Sequence, residues 1–438
     1  MQKAISLAVS KFLELIKNKE IKIISHNDTD GITSAAILAK TLKKLNKKFS
    51  VKIIKQLDKE YLATIKNTNR NEVLIFLDLG SSCLQELEKI EKDIFVIDHH
   101  EISGEPGKNT VFINPHLFNE EEISASGLTY LFSKLINQEN KDLANLALIG
   151  MVGDLQDRNI SKLNNKIIED AEVIIKKSLL LYPSTRPIHK TLEFSSSIYM
   201  PGITGNSKGV LSILREAEIK KENGTYKSLI ELSEEELSKL ITSIIIRAKK
   251  PSSEIIGNLY LIKFFNRLED ARELSAIINA CSRLGYSDIA LSLCLDDKKA
   301  RTTAESIYAN YKQHLISALN FAENNTIIGK NYVIINAKNK IKDTLIGTLA
   351  SILSMSNKYE EGTIIIAMSY DKEKIKVSAR LAGRNGRNVL EILKKTIEKV
   401  GGECGGHAQA AGCLIAKEKE SEFIKNLTKT LELEVIKI

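Results

Sequence analysis

Three apolar runs in the first 100 residues each end in an acidic residue or a histidine. Ile21 to Ser25 leads into the segment His26 to Gly31, Val73 to Leu77 stops at Asp78, and Val96-Ile97 leads into Asp98-His99-His100. Short β-rich runs separated by helical patterns predict βαβ units and a parallel sheet. Because the carboxyl ends of parallel strands meet at one edge of the sheet, we expect one group of ligand-type side chains there: His26, Asp28, Asp30, Asp78, Asp98, His99 and His100. So many acidic groups would repel one another without cations between them, so the pattern predicts a site for more than one metal ion.

The composition is that of a globular protein with an excess of positive charge. The chain has 438 residues, 43% hydrophobic and 27% charged, with a net charge of +8. This length allows two or three domains, and there is no run of about 18 apolar residues to predict a membrane-spanning helix. The start of the chain lacks the uninterrupted apolar core of a signal peptide, so we expect a cytoplasmic protein that makes no membrane contact. The positive charge fits either a polyanionic partner or an evenly lysine-rich surface.

Hydrophobic periodicity divides the chain into four segments. We predict a metal-binding α/β domain at 1–195, a helical insert at 196–270, a helical connector at 271–325 and a second α/β domain at 326–438. In the last segment, strands are predicted near 332–336, 363–369, 374–380 and 411–416, and helices near 343–355 and 388–399. Ser82 with Gln85, and Ser233 with Glu236, have the pattern of capping boxes that begin helices. Gly150 and Gly153 should let their helix approach the sheet and bring Asp154 to the same edge.

The predicted cluster has the chemistry of a site for two divalent cations. Mn²⁺ and Mg²⁺ prefer carboxylate oxygens, and imidazole shifts the preference toward Mn²⁺. Five side chains could hold the ions, with Asp30 beside either: His26, Asp28, Asp78, His99 and Asp154. Asp98 or His100 could then orient ligands or protonate a leaving oxygen. Alone, Asp78 would be a strand-end cap and Asp30-Gly31 a turn, but the recurrence at successive strand ends argues against those interpretations.

A glycine-rich segment near the C-terminus is a second candidate site. Gly401 to Gly406 contains four glycines with Glu403 and Cys404, and His407 follows. Glycines let backbone N–H groups approach an anion, with His407 as a further donor, although a simple helix C-cap has the same composition. Arg380 could bind phosphate in a bidentate manner. Cys404 is one of five dispersed cysteines that we expect to be reduced, packed thiols.

These residues resemble the DHH phosphoesterase superfamily. Asp98-His99-His100 matches its signature, together with the segment from His26 to Gly31, Asp78 and Gly153-Asp154, and Gly405-Gly406-His407 is similar to its DHH-associated C-terminal domain. Asn279 to Gly285, with Asn279 and Arg283, resembles a segment of the RecJ connector, and Ser378-Ala379-Arg380 resembles the RecJ substrate-binding strand. In its length, its lysine content and its helical insert, the chain resembles archaeal RecJ-like proteins, including the GINS-associated nuclease.

The resemblance implies an Mn²⁺- or Mg²⁺-dependent exonuclease for single-stranded nucleic acid, acting in replication or repair, with its active site in a cleft between the two α/β domains. It assigns as metal ligands His26, Asp28, Asp30, Asp78, His99 and Asp154. Asp98, His99, His100, Asp28 and Asp154 would take part in catalysis. It assigns as substrate contacts Asn279, Arg283, Ser378, Arg380, Gly405, Gly406 and His407. The chain departs from the family at Cys404, which stands where the signature has its first glycine.

Two other functions stay open at the sequence level. The first is a phosphodiesterase for very short oligonucleotides or cyclic dinucleotides, although the shorter enzymes of that type lack the insert and the connector. The second is a replisome scaffold associated with GINS or the replicative helicase, although a scaffold has no need for clustered acids. The polarity of digestion, the choice between DNA and RNA, and the oligomeric state do not follow from the sequence.

Overall fold

The computed structural model describes residues 1–66, 71–118, 121–195, 198–248, 252–356 and 358–435. The chain groups into two compact units, each made of two stretches of sequence. The first unit contains Met1–Lys177 and Asn258–Ala309, and the second contains Ser178–Gly257 and Asn310–Ile438. The division into four segments with boundaries at 195, 270 and 325 stays a prediction. No helix in the described ranges is both long and apolar enough to cross a lipid bilayer.

A five-stranded, fully parallel sheet forms the centre of the first unit. Its strands are β1 (Glu20–His26), β2 (Phe49–Ile54), β3 (Glu72–Leu77), β4 (Asp93–Ile97) and β5 (Thr110–Ile113). Their order is β2-β1-β3-β4-β5. The middle strands are short runs of β-branched and aromatic residues that are buried on both faces, as is usual for parallel strands covered by helices. The predicted parallel sheet is confirmed, and β1, β3 and β4 end side by side.

Helices follow the strands of the first unit. They are α1 (Gln2–Leu15), α2 (Thr29–Lys44), α3 (Lys59–Lys66), α4 (Leu84–Glu88), α5 (Ala125–Ile136), α6 (Ala144–Gly153) and α7 (Lys162–Asp170). Gly150 in α6 approaches other helices rather than the sheet, since a Cβ there would lie 2.1 Å from Ser126 Oγ and 2.5 Å from Thr33 Oγ1. The predicted capping box of Ser82 and Gln85 was wrong. Helix α4 is instead capped at Cys83, without a side-chain hydrogen bond.

The middle of the chain is helical with short strands. Its elements are β6 (Val173–Leu179), α8 (Ile188–Glu193), α9 (Ser207–Glu216), β7 (Lys221–Glu222), β8 (Thr225–Tyr226), α10 (Glu234–Ala248), α11 (Ser252–Ile255), β9 (Ile256–Phe264) and β10 (Arg267–Asp270). The capping box before α10 is confirmed, since Glu236 N donates to Ser233 Oγ at 3.2 Å and Ser233 N donates to Glu236 Oε2 at 2.9 Å. The stretch 256–270, which we expected within the helical insert, forms two antiparallel strands. The residues from Leu259 to Ile262 are all buried. A short continuous apolar run of this kind is typical of a strand that is buried on both faces.

Three helices occupy the predicted helical connector. They are α12 (Ala271–Arg283), α13 (Ser287–Cys294) and α14 (Lys298–Asn324). Gly285 has a φ of +89° and Asp296 a φ of +66°, so the backbone leaves the right-handed helical region at both junctions. Asp270 caps α12 by accepting a hydrogen bond from Arg272 N. Helix α12 packs against α2 and α6 of the same unit.

A six-stranded mixed sheet forms most of the C-terminal part of the second unit. Its strands are β11 (Ile327–Gly329), β12 (Tyr332–Asn336), β13 (Ile364–Asp371), β14 (Lys374–Leu381), β15 (Glu403–His407) and β16 (Ala410–Ala416), in the order β11-β12-β13-β14-β16-β15. The helices are α15 (Asp343–Met355), α16 (Val389–Val400) and α17 (Glu420–Val435). The four predicted strands and two predicted helices are confirmed to within three residues. The glycine-rich segment was expected to be a loop and is the edge strand β15.

Candidate metal centre

Adjacent strand ends deliver four of the expected side chains. His26 is the last residue of β1, Asp78 follows β3, and Asp98-His99 follows β4. Asp78 leaves the strand with a φ of +58°, while its N–H donates to Ile97 O at 2.9 Å. An aspartate tolerates this left-handed conformation better than most residues. The turn directs the Asp78 side chain into the space beyond the sheet edge, where it is 1% exposed.

Two helix ends deliver the other acids. Asp28 caps α2, and its Oδ1 accepts a hydrogen bond from Gly31 N at 3.0 Å. Asp30, in the first turn of α2, is fully buried against the start of α5, where Ala125 N and Ser126 N donate to its carboxylate at 2.7 and 3.0 Å. Two donors at a helix N-terminus stabilise a buried carboxylate. Asp154 follows the last turn of α6.

The side chains form overlapping groups of potential ligands. His26 Nδ1 lies 2.9 Å from Asp28 Oδ2 and 3.1 Å from Asp78 Oδ2. His99 Nε2 lies 3.1 Å from Asp154 Oδ2, 3.4 Å from Asp78 Oδ1 and 3.9 Å from Asp30 Oδ2. Within each of three groups the ligand atoms lie within 4.8 Å of one another: His26, Asp28 and Asp78; Asp30, His99 and Asp154; Asp78, His99 and His100. Asp78 and His99 each belong to two groups, as residues between two ions would.

The arrangement fits divalent cations. Asp78 Oδ1 and Asp154 Oδ2 are buried and accept no hydrogen bond from any described residue. Burying a carboxylate oxygen without a donor is costly, and a cation at this position would satisfy both atoms. Carboxylates with imidazoles form a donor set suited to Mn²⁺, and also to Mg²⁺.

In the metal-free protein, protons take part of the role of the cations. Burial disfavours the charged form of His26, but Asp28 and Asp78 outweigh it and raise the pKa of His26 to about 10. Burial and the nearby charge of Asp30 raise the pKa of Asp154 to about 9. Burial and Asp28 likewise raise the pKa of Asp78. Burial would raise the pKa of Asp28, but the paired His26 lowers it to about 2. The cluster therefore binds protons at neutral pH where it would otherwise bind metal.

Asp98 belongs to none of the three groups. Its Oδ2 accepts from Ser81 N at 2.9 Å, and its Oδ1 accepts from His99 N at 2.8 Å and lies 2.7 Å from His100 Nδ1. Burial alone would raise the pKa of Asp98, yet His100 and Ser81 hold it below its usual range. Asp98 thus fixes the backbone that presents the two histidines. The His100 side chain is 55% exposed and belongs to the outer group with Asp78 and His99.

Several residues that support these ligands were not predicted from the sequence. Asn114 Nδ2 donates to Ser81 Oγ at 3.0 Å and to His100 O at 2.9 Å, which connects the loops after β3, β4 and β5. Ala125 and Ser126 hold Asp30 through backbone N–H groups. The available signal was Ser124 before an apolar run, which marks a helix start. Nothing in that signal identifies Asp30 as the anion at this helix start.

Helix α12 holds the loop that carries the first ligands. Asn279 Oδ1 accepts a hydrogen bond from Thr29 N at 3.1 Å, and Thr29 Oγ1 donates to Ser275 O at 2.9 Å. Ser282 Oγ donates to Asn27 O in the same loop. The side-chain oxygen of Asn279 thus binds the backbone between Asp28 and Asp30, and its contact with substrate stays a prediction. Arg283 is exposed at the last position of α12.

The remaining candidate residues share the C-terminal sheet of the second unit. Ser378 on β14, Gly412 on β16 and Gly405 on β15 lie opposite one another in one row across the three strands. Arg380, Ala410 and His407 form the next row on the same face. Opposed residues, and residues two apart, point to the same side of a sheet. We call the three residues Gly405, Gly412 and Ser378 the glycine row.

Most of the glycine row lacks side chains, so backbone groups are open to a ligand. A Cβ at Gly405 would meet no atom within 4 Å. Gly406 lies between the two rows with a φ of +132°, a conformation that favours glycine, and a Cβ there would lie 2.4 Å from Ala410 O. Arg380 Nε donates to Ser351 Oγ at 3.2 Å, so its guanidinium is held beside the row. The structure brings Ser378, Arg380, Gly405 and His407 together on one face.

Three family models match the chain. The N-terminal domain of the DHH family matches residues 20–151, the DHH-CID domain matches 181–255, and the DHHA1 domain matches 329–433. The chain is therefore a DHH-family protein of the phosphoesterase superfamily, in which a CID domain and a DHHA1 domain follow the DHH domain. The resemblance found in the sequence is confirmed.

Two relatives are similar in sequence. An uncharacterized protein of Methanocaldococcus jannaschii is 28% identical over 445 residues, with 97% of each chain covered. A prophage protein of Bacillus subtilis, named as a single-strand DNA-specific exonuclease, is 26% identical over 225 residues, which is 46% of this chain and 38% of that protein.

Two solved structures share the fold over nearly the whole chain. An exonuclease RecJ bound to manganese has a TM-score of 0.61 at 16% identity, with 97% of this chain and 93% of that chain covered. CDC45 from Entamoeba histolytica has a TM-score of 0.70 at 14% identity, with 97% and 99% covered. At these identities the likeness shows the fold alone. The predicted fold class is confirmed: an α/β protein with an N-terminal parallel sheet, helices and a C-terminal DHHA1 domain, as in RecJ.

Proposed function

We propose that the protein is a metal-dependent exonuclease that hydrolyses single-stranded DNA, RNA or both to mononucleotides, in DNA replication or repair. The observation that carries this proposal is the cluster of seven potential ligands, with two buried carboxylate oxygens that lack donors. The domain content and the names of the nuclease relatives agree with it. Single-stranded nucleic acid supplies the phosphodiester, and the net charge of +8 favours its approach.

Two groups of side chains at the metal centre would each hold one ion. His26, Asp28 and Asp78 would hold one ion, and Asp30, His99 and Asp154 the other. Two Mn²⁺ or Mg²⁺ ions would supply Lewis-acid activation of the phosphate and of water for in-line attack. Asp98 keeps His99 and His100 oriented through their N–H groups. His100 would carry the proton for the leaving oxygen, since its hydrogen bond to the Asp98 carboxylate raises its pKa.

The second group of residues would hold the substrate. Backbone N–H groups near Gly405 and Gly406, the His407 imidazole and the Ser378 hydroxyl are donors suited to phosphate oxygens. Arg380 adds a fixed positive charge beside them. Arg283, exposed on α12, is a further candidate for contact with the strand. For Asn279 we favour the role that its contact implies, which is to position the loop from Asn27 to Asp30.

A gel assay tests the proposal. Single-stranded DNA and RNA, each labelled at either end, and dinucleotides are incubated with Mn²⁺ and with the wild type or Asp154→Asn. Stepwise shortening of long strands by the wild type alone is expected, and it would also reveal the polarity and the sugar preference. Cleavage of dinucleotides only would reassign the protein to the small-oligonucleotide enzymes.

A second candidate is a scaffold that works with GINS or the replicative helicase, and the CDC45-like fold favours it. Absence of cleavage with all substrates, together with retention of the protein on an immobilised GINS complex, would support the scaffold and overturn the exonuclease. Cleavage with or without such retention would keep the enzyme assignment.

A further inference from the structure

Two cysteines lie directly opposite each other in the C-terminal sheet. Cys404 on the edge strand β15 is the register partner of Cys413 on β16. Both pack against one apolar cluster that includes Val377 and Ile415. Cys413 is 4% exposed, whereas Cys404 is half-buried. The pair thus lies on the core side of the sheet, one residue away from the glycine row on the other side.

The strand register places the two cysteines at a Cα separation that a disulfide can span. Directly opposed residues of antiparallel strands have Cα atoms about 4.5–5.5 Å apart, with both side chains on one face. Disulfides in proteins span Cα distances of about 4.4–6.8 Å. A bond between the two sulfurs therefore needs side-chain rotation and no separation or slippage of the strands. Both cysteines are free thiols in the structure.

Cys404 is the residue that completes the pair. It lies on β15 immediately before Gly405, Gly406 and His407. A glycine at 404 would leave Cys413 a buried thiol without a sulfur partner across the two strands. Cys404 therefore creates a facing pair of thiols in the strand that carries the candidate substrate contacts.

We propose that Cys404 and Cys413 form an oxidation site that links β15 to β16 by a reversible disulfide. The oxidant is a hydroperoxide, which accepts the two electrons. The half-buried Cys404 sulfur attacks the peroxide: an S–O bond forms, the O–O bond breaks, and the leaving oxygen takes a proton. The Cys413 sulfur then displaces the oxygen from Cys404: the S–S bond forms, the S–O bond breaks, and the Cys413 proton leaves with it as water.

The buried member of the pair is protected from the oxidant. Burial raises the pKa of the Cys413 thiol to about 12, so it stays protonated and resists direct oxidation. The more exposed Cys404 meets the oxidant first. A disulfide on a sheet edge is open to reduction by thiols of the cell, as expected for a regulatory bond rather than a structural one.

The consequence for activity rests on the proposed function. Gly405, Gly406 and His407 follow Cys404 on β15, so a bond at Cys404 fixes the strand that would hold the nucleic acid. We expect oxidation to reduce cleavage of single-stranded DNA several-fold while Mn²⁺ affinity stays unchanged. A dithiol reductant should restore the activity.

Mass spectrometry tests the bond independently of activity. Trypsin places both cysteines in one peptide, from Val400 to Lys417, because no lysine or arginine lies between them. The full-length protein is treated with hydrogen peroxide, unfolded and alkylated. We expect a peptide that is lighter by two hydrogen atoms and takes no alkyl group, and one that takes two alkyl groups after reduction. Two alkyl groups without reduction, or a Cys404 sulfinic acid beside an alkylated Cys413, would overturn the proposal.

Variants provide the controls. Cys404→Gly has the signature glycine and should leave Cys413 alkylated once under all conditions, with cleavage insensitive to peroxide. Cys404→Ser serves the same purpose if the glycine variant folds poorly. Cys83→Ser removes a half-buried thiol elsewhere and should still form the bond. If the reduced protein cleaves nothing, the proposed function fails, while the peptide masses still decide the oxidation site.

Discussion

The metal centre and the glycine row are both candidates for binding phosphate, and they are built in opposite ways. The metal centre concentrates charged side chains from the ends of three strands and two helices, and buries most of them. The glycine row comes from three neighbouring strands and depends on the absence of side chains. The metal centre should therefore fail when a charge is removed. The glycine row should fail when side-chain volume is added or a single hydrogen-bond donor is lost.

The largest effect is expected at the metal centre. Asp154→Asn should lower kcat/KM for single-stranded DNA by ~100-fold or more, because it removes a carboxylate from a site where cations stabilise developing charge. Mn²⁺ binding, followed by calorimetry, should weaken in parallel. Thermal stability of the metal-free protein should hold or rise, since Asp154 lies among other buried acids.

Asp142→Asn is the matched control for this change. Asp142 is an exposed partner of Lys44 in the same unit, with a side chain 60% exposed, so its substitution should alter neither cleavage nor Mn²⁺ binding. Full activity of Asp154→Asn would mean that the metal centre is assigned incorrectly.

Proton competition should make metal binding pH-dependent. His26 and Asp154, with pKa values of about 10 and about 9 in the metal-free protein, hold protons at neutral pH that Mn²⁺ must displace. Affinity should therefore rise with pH between about 6 and 9, by up to tenfold per unit for each proton displaced. Calorimetry in two buffers of different ionisation enthalpy measures the protons released.

The stability of the metal-free protein should change in the opposite direction. Both groups have native pKa values above their ordinary values, so the stabilisation they provide is complete at low pH and is lost as pH rises through about 9 and about 10. The increase in melting temperature on adding Mn²⁺ should therefore grow as pH rises from 6 to 9. An increase that is constant from pH 6 to 9 would exclude the proton competition.

Substitutions at the glycine row should act on substrate and not on metal. His407→Ala should raise KM about tenfold by removing one donor to phosphate, and Gly405→Leu should do the same by covering the bare backbone. A Cβ at Gly405 has open space, so the fold should survive. Steady-state kinetics and a Mn²⁺ titration separate the two parameters. A loss of Mn²⁺ affinity in either variant would contradict the division between the sites.

The smallest effect is expected from Asn279, which accepts a hydrogen bond from Thr29 N and so positions the loop that carries Asp28 and Asp30. Asn279→Ala should lower Mn²⁺ affinity several-fold, up to ~10-fold, because partners that orient ligands contribute at that level. Asn279→Asp retains an acceptor for Thr29 N and should recover most of the affinity. If Asn279→Ala instead raises KM for DNA with Mn²⁺ binding unchanged, Asn279 contacts the substrate.

Much of the candidate site could be predicted because strand ends are visible in the sequence. An apolar run that stops at an acid, repeated three times, locates His26, Asp78 and His99 at one sheet edge once the strands are parallel. Asp98 shows the limit of that argument: it follows β4 directly, yet it turns back to Ser81 N and the histidine backbone. Side-chain direction after a strand depends on backbone turns that residue type does not specify.

The parallel sheet and the C-terminal strands could be predicted from the chain alone, because local periodicity and composition carry those features. The contacts between distant segments could not. Asn279 reaches Thr29, Asp30 meets the start of α5, and Cys404 opposes Cys413. Such contacts follow from the packing of helices and the register of strands, which depend on the whole chain at once and leave no local pattern.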